Sequence, residues 1–467
     1  VMLRLTRGSV GIKEAYSQAM AVTAPLGSVV STTTAAVAYA GGGVLLATFL
    51  ALLASAMWIF TLTRYSGKVA SAGGFYSFSS AAWGSKKVSF FEAFIEIGAY
   101  VILNAANVIA TITILKFVNS LGFTIPSFIS WLVLGICVIY PTLLSLYDVR
   151  KVLGRVVLIA GSAEVALLIM MFIYSVVTRG FQPHLFVSTR SIGTGGFALA
   201  FILTLVSISG AGAATYLGEE AKLPTKTINL GMWLSLIIGG IAISLGTYGL
   251  LSLWSGPIAS IQNSQQPLLA EFSRIGTFPL LLTMVLAINS LVTSNIGTTL
   301  GSARILFNLS RENAAPKLFS KMSKSGQPIV ATIVIGIFTA LLSILPSLVE
   351  GFYSAFLDVS AIASIFWVTG RLIDSAGVPV FLMRIRRLSV MSLIIPLVVT
   401  ALNVWGISVS VSQFDIVQAG IITITAGLLI LWYARYGRKG KPGSLMVDDK
   451  GELITRDELL KRLIAGT

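Results

Sequence analysis

Charge, sulfur and imidazole are all scarce in this chain. Only 11% of its 467 residues are charged, less than half of the roughly 25% usual in a soluble globular chain. That shortage excludes one large water-soluble domain. There is one cysteine, Cys137, inside an apolar run, so neither an intrachain disulfide nor a cysteine metal site can form. The one histidine, His184, falls in a loop, which leaves no His/Cys metal chemistry. Neither Gly-x-Ser-x-Gly nor His-Glu-x-x-His occurs, so no enzyme of those classes is expected. Repeated filter loops of the channel type are missing as well. No metal and no cofactor is expected.

What the chain has instead is apolar length. Apolar residues make up 55% of it and the mean hydropathy is +0.88. A helix needs about 20 apolar residues to cross a bilayer. Twelve runs meet that need, at 14–40, 43–64, 89–117, 127–147, 152–178, 195–221, 228–254, 278–308, 328–346, 351–383, 390–411 and 415–436. The tenth run weakens between Arg371 and Pro379. A basic lead-in, 1–13, precedes the first span, and a polar tail, 437–467, predicts a short amphipathic helix around Arg456 to Ile464.

The net charge of +15 points to membrane topology. Its basic residues sit in short clusters between apolar runs, without the interleaved aromatics of a nucleic-acid surface. With twelve spans and a cytoplasmic N-terminus, all 33 Lys and Arg lie on the cytoplasmic side except Lys116, Arg179, Arg190 and Arg274. That asymmetry predicts a multi-pass protein of the cell membrane with both termini cytoplasmic. The partners implied are the lipid bilayer and a small molecule, and no nucleic acid.

Two spans are interrupted near their middles, the first at Ala24-Pro25-Leu26-Gly27 and the sixth at Ser209-Gly210-Ala211-Gly212. Each opens a set of five, spans 1–5 (14–178) and spans 6–10 (195–383), with spans 11 and 12 (390–436) following. Matched interruptions in two halves point to a transporter site at the bilayer midplane. Unwinding frees amide donors and carbonyl acceptors, which suit the carboxylate and ammonium of an α-amino acid. The carboxylate is expected on N–H groups near Leu26, Gly27 and Ser28. The ammonium is expected on carbonyls near Thr23, Ala24, Ser207 and Ile208. Asn104 and Asn107, on one face of the third span, are candidate lining residues or interhelical hydrogen-bond partners.

Three segments carry a family resemblance. Gly210 and Gly212, followed by Glu219, Glu220 and Pro224, resemble the sixth span and its exit in the amino acid–polyamine–organocation transporter superfamily. Arg304, Arg311 and Pro316 resemble the eighth span and its exit, and Gly73, Gly74 and Tyr76 the loop after the second. The resemblance implies an all-α polytopic membrane protein of LeuT-type fold, a five-plus-five inverted repeat with helices 1 and 6 unwound. It implies amino acid or amine substrates and alternating access, with a proton or Na⁺ as coupling ion. Two departures stand out. Where many proton-coupled relatives carry lysine in the fifth span, this chain has Glu164. Where transporters of cationic substrates carry an acid and an aromatic gate, it has Gly212 and Val206.

Glu164 stands alone in an apolar span, where a charge costs several kcal/mol or more. It is expected to be the coupling site, between spans 1, 5 and 8, with Thr293 and Ser294 as neighbours. Asp358 is its rival, near the outer end of span ten. Glu92 and Glu96 are expected to pair with loop cations. Glu219 and Glu220, facing Arg304 and Arg311, form a candidate inner gate. The expected function is a proton-coupled amino acid symporter favouring neutral substrates. The alternatives are sodium coupling, exchange, or a sensor on a transporter fold.

Overall fold

The computed structural model describes residues 4–188 and 193–466. Arg190 of the charge count and the first three residues of the lead-in lie outside the described residues. Where water is absent, an apolar run must close its own backbone hydrogen bonds, and helix is the local way to do so. The first run does this in three pieces, α1 (Ile12–Thr23), α2 (Pro25–Val30) and α3 (Thr32–Ala40). After Gly41–Gly43 come α4 (Val44–Ser66), the loop helix α5 (Phe75–Trp83), α6 (Lys86–Lys116) and α7 (Ser127–Leu144). The fifth run is α8 (Val149–Lys151) and α9 (Leu158–Arg179), joined by a π-helical stretch, Val152–Val157.

The sixth is α10 (Thr194–Ser209), which tightens into a 3₁₀ helix over Gly210–Leu217. α11 (Pro224–Ser235) and α12 (Ile241–Leu253) form the seventh run. The long loop after it folds locally, as α13 (Pro267–Ile275) and a 3₁₀ turn at Ile258–Asn263. Then come α14 (Thr277–Arg311), α15 (Ile329–Glu350), α16 (Phe352–Arg384), α17 (Val390–Ser410) and α18 (Ile416–Trp432). Among the described residues, eleven helices are long and apolar enough to cross a membrane. The first of these joins α3 to α4, Thr32–Ser66, across Gly41, whose φ of +52° breaks the helix. The tenth run does not end at Arg371: α16 carries Pro379 within it and continues to Arg384.

α6 and α16 run against one another through the centre of the molecule, and α1 packs between α11, α14 and the 3₁₀ segment. α18 buries only Gln418 and Ile421 and leaves Ile416, Ile424 and Leu431 exposed, as a lipid-facing helix does.

Both termini meet on one face, here the terminal face. Arg7 donates to the Lys450 carbonyl, and Val10 N–H donates to the Glu220 carbonyl at 3.0 Å. The tail holds the expected helix, α19 (Arg456–Ala465). Before it comes a hairpin that was not expected, β1 (Leu445–Val447) antiparallel to β2 (Leu453–Thr455). The carboxylate of Glu312, one residue past α14, holds this tail down. It accepts from Gly443 N–H, Leu445 N–H and Tyr76 Oη, each at 2.9 Å.

Burial raises the Glu312 carboxyl from 4.5 to about 7, against the lowering effect of those donors. A raised value means that docking takes up a proton. Its stabilising effect is complete below about pH 4.5 and is lost as pH rises through 7. Hydrogen exchange of the Gly443–Val447 amides, corrected for intrinsic rate, should therefore be slower at pH 6 than at pH 8. Glu312→Gln should remove that difference; a variant with the native pH dependence would refute the role.

Candidate functional site

The break between α1 and α2 consists of one residue. Ala24 lies at φ 41°, ψ 70°, a left-handed conformation that costs an L-residue ~1–2 kcal/mol. Pro25 keeps Ala24 from continuing the right-handed helix, since the residue before a proline disfavours the α region. Proline also suits the first position of α2, where its missing N–H is no loss. The two following amides do need partners. Leu26 N–H donates to Glu164 Oε2 at 3.3 Å, and Gly27 N–H to Ser290 Oγ at 2.8 Å. The Ser290 hydroxyl in turn donates to Glu164 Oε2 at 2.6 Å. Ser28 N–H returns to the Ala24 carbonyl at 2.7 Å. A Cβ on Gly27 would stand 2.7 Å from Ser290 Oγ, so only glycine permits this approach.

Glu164 is thus placed between α1/α2, α9 and α14, but its neighbour is Ser290, not the expected Thr293 or Ser294. The contact falls one turn earlier along α14. Thr293 bonds its own helix at the Ser290 carbonyl.

The sixth span differs from expectation too. It does not unwind: Gly210–Leu217 keeps helical turns in the tighter 3₁₀ form. Small residues allow the backbones of the two interrupted spans to touch there. A Cβ on Gly210 would lie 2.9 Å from Thr23 N and from Val22 C.

Between the interrupted spans lies a small cavity lined by Ala24, Gly27, Ser28, Ser31, Thr32, Val206, Ser207, Ser294 and Asn107, with Val22, Leu103 and Leu291. A water-sized sphere can be centred in only about 10 Å³ of it, room for about one water. Among the described residues, Ser31 Oγ is buried without a hydrogen-bond partner. Ser207 Oγ bonds Thr32 Oγ1. Thr23, Leu26, Ile208, Gly210, Gly212 and Asn104 stand behind this wall. Thr23 Oγ1 donates to the Ala19 carbonyl at 2.9 Å. Ile208 is wholly buried, and Gly212 packs toward Leu62 and Phe75. Asn104 Nδ2 donates to Thr299 and Thr339, the interhelical role. Asn107, one turn on, reaches the cavity and bonds Ser294 and Asn295 at 3.2 and 3.0 Å.

Toward the terminal face, two bidentate ion pairs cross from α14 to the turn after the 3₁₀ segment. Arg304 Nε and Nη2 donate to the two Glu220 oxygens at 2.7 and 2.9 Å. Arg311 Nη1 and Nη2 donate to the two Glu219 oxygens at 2.9 and 2.6 Å. All four residues are buried or nearly so, and Leu5 N–H also donates to Glu219.

A third buried pair escaped the sequence reading. Glu96 binds Arg371 of α16 at 2.7 Å, not a loop cation, and accepts from Tyr216 Oη at 3.1 Å. Arg371 had been counted with the loop charges. It is buried, with Phe75 and Trp367 rings 4.1 and 4.5 Å from its guanidinium. Glu92 and Asp374 lie beside it, both without solvent exposure. The available signal was Arg371 and Asp374 at i, i+3 within one apolar helix. At the opposite face, oxygens of Glu350, Asp358 and Asp415 come within 4.8 Å of one another, a mixed set from buried to exposed. Asp358, there, accepts from Gln418 Nε2 at 3.1 Å.

Comparison with known proteins gives the fold and the family. Two crystal structures of variants of a manganese transporter from Eremococcus coleocola superpose with a TM-score of 0.51 each. They are 14% and 15% identical and cover 93% and 91% of this chain, and 98% and 94% of theirs. An uncharacterized amino-acid permease of Schizosaccharomyces pombe is 32% identical over 31% of this chain and 28% of its own length. The chloroplastic cationic amino acid transporter 7 of Arabidopsis thaliana is 28% identical over 33% of this chain. These alignments span just over a quarter of either relative, 28% and 27%. The amino acid permease profile matches residues 17–371. By that match over most of its length, the chain belongs to the amino acid permease family, whose members are transporters and not enzymes.

Proposed function

We propose that this protein is a secondary active transporter of amino acids, working by alternating access in the cell membrane. The observation that carries the reading is Glu164 at the break, taking the Leu26 N–H and the Ser290 hydroxyl. Those donors are what an α-amino acid carboxylate would need. A substrate carboxylate and the Glu164 carboxylate compete for them. When substrate wins, Glu164 loses its donors in a dry site, and a proton is the cheapest replacement. Substrate and proton would then enter together, which is symport. Sodium, held by the same carboxylate and the Ser290 oxygen, is the competing coupling ion.

Neutral amino acids suit the chemistry of the cavity wall best, once the cavity opens beyond its present room for about one water. The wall offers hydroxyls and aliphatic carbons, with Ser31 Oγ unpartnered among the described residues, and no acid to balance a cationic side chain. Twelve spans with both termini cytoplasmic complete the reading. α1–α3 together count as the first, the helix break at Gly41 separating them from α4. The Arg304–Glu220 and Arg311–Glu219 pairs then form the inner gate.

Proteoliposomes preloaded with unlabelled alanine should accumulate labelled alanine by counterflow. Binding without counterflow would point to a sensor instead. Glu164→Gln should lower pH-driven uptake about tenfold, the equivalent of one charge-assisted hydrogen bond, and flatten its pH profile. Unchanged responses to pH and sodium would remove Glu164 from the coupling role. Arg304→Met should cost about 3–5 kcal/mol in stability, because it strands the Glu220 charge. Arg304→Glu should stop uptake, and the exchange Arg304→Glu with Glu220→Arg should recover part of it; a double variant no better than the singles rejects the gate.

A further inference from the structure

A second concave site lies on the terminal face, away from the substrate cavity. It is a pocket of about 610 Å³ between the ends of α4, α11, α16 and α17, within the range of small-ligand sites. Three cations line it: Arg64, Lys68 and Arg387. None of them takes part in an ion pair among the described residues, where every salt bridge uses other groups. The Lys68 ammonium is held below its ordinary value by burial, and then by the like charges of Arg387 and Arg64. Among the described residues no counter-charge faces these three cations, Arg387 Nη2 donating to the neutral Gly466 carbonyl at 3.3 Å. Such like charges repel one another, and a bound anion removes that penalty.

Neutral donors complete the set. Arg64 Nε is buried with no partner among the described residues, while its guanidinium rests 4.1 Å above the Phe60 ring. Asn229 takes the Ser66 hydroxyl on its carbonyl oxygen, which leaves its NH₂ to donate. Ser389, the N-cap of α17, and Ser392 also line the pocket. The Ser389 hydroxyl donates to Ser392 Oγ at 2.9 Å, which leaves the Ser392 O–H to donate. Guanidinium forks, an ammonium and hydroxyls together match a phosphate. Trp233 and Leu382 form the apolar part of the wall, which suits a phosphate that carries acyl chains. The pocket also lies on the face that the charge distribution assigns to the cytoplasm, where anionic lipids gather.

We propose that this pocket binds the phosphate headgroup of an anionic phospholipid, held by Arg64, Lys68 and Arg387. It is a site separate from transport chemistry and independent of the coupling ion.

The test uses the full chain, delipidated in neutral detergent and titrated with phosphatidylglycerol or phosphatidylcholine under native mass spectrometry. The wild-type chain should retain phosphatidylglycerol at about tenfold lower concentration than phosphatidylcholine, and Lys68→Gln with Arg387→Gln should erase the preference. Lys68→Arg, which keeps the charge, should retain it, and its melting temperature without lipid should match the wild type. Equal retention of the two lipids, or a double variant that still prefers phosphatidylglycerol, overturns the site. Inorganic phosphate that raises the melting temperature as far as phosphatidylglycerol does overturns the lipid assignment in favour of free phosphate.

Discussion

An amide inside a bilayer has no water to turn to, so wherever the helix stops, some side chain must take its place. This chain stops its first span at Ala24, and the two amides that follow Pro25 are taken by Glu164 and by Ser290. One serine hydroxyl accepts from Gly27 N–H and donates to the Glu164 carboxylate. The break, the fifth span and the eighth span are thereby joined through two side chains. Anything that takes those donors changes the contact among all three elements at once. In the proposed mechanism a single zwitterion would act on the whole bundle for that reason.

The buried ions divide the same way. Arg304–Glu220 and Arg311–Glu219 tie α14 to the turn after the 3₁₀ segment. Arg371–Glu96 ties α16 to α6, and the Tyr216 hydroxyl brings the 3₁₀ segment to the same carboxylate. The second half of span six is therefore held by charge from both sides. Its 3₁₀ form agrees with that, since a tightened helix keeps its backbone bonded while an unwound one would need further donors.

Much of the fold was legible because apolar length is a one-dimensional signal. The runs, the break at Ala24-Pro25 and the amphipathic Arg456–Ala465 helix are local properties of the chain. The site was legible only where the chemistry was local too. Glu164 announced itself as the lone acid in its helix, but its partner Ser290 depended on how α14 rotates against α9. Arg371 was read as a loop charge because its counter-ion, Glu96, lies 275 residues away. The hairpin of the tail was hidden for a similar reason: its strands are three residues long and are held by Glu312 and Ala70 of other segments.

The two faces of the cavity are closed by unlike means, which bears on the proposed transport cycle. Toward the terminal face stand two buried bidentate ion pairs, with the tail docked over them through Glu312. Separating a buried pair without rehydrating it costs several kcal/mol. Toward the opposite face the closure near the break is neutral: Gln266 Nε2 donates to Thr113 Oγ1 at 2.8 Å and weakly to the Val30 carbonyl at 3.5 Å. Neutral hydrogen bonds contribute only about 0.5–1.5 kcal/mol each. Under the proposed alternating access, the opposite face would be the easier to open without substrate, and contacts between a bound zwitterion and the broken helix would offset the separation of the two pairs at the terminal face.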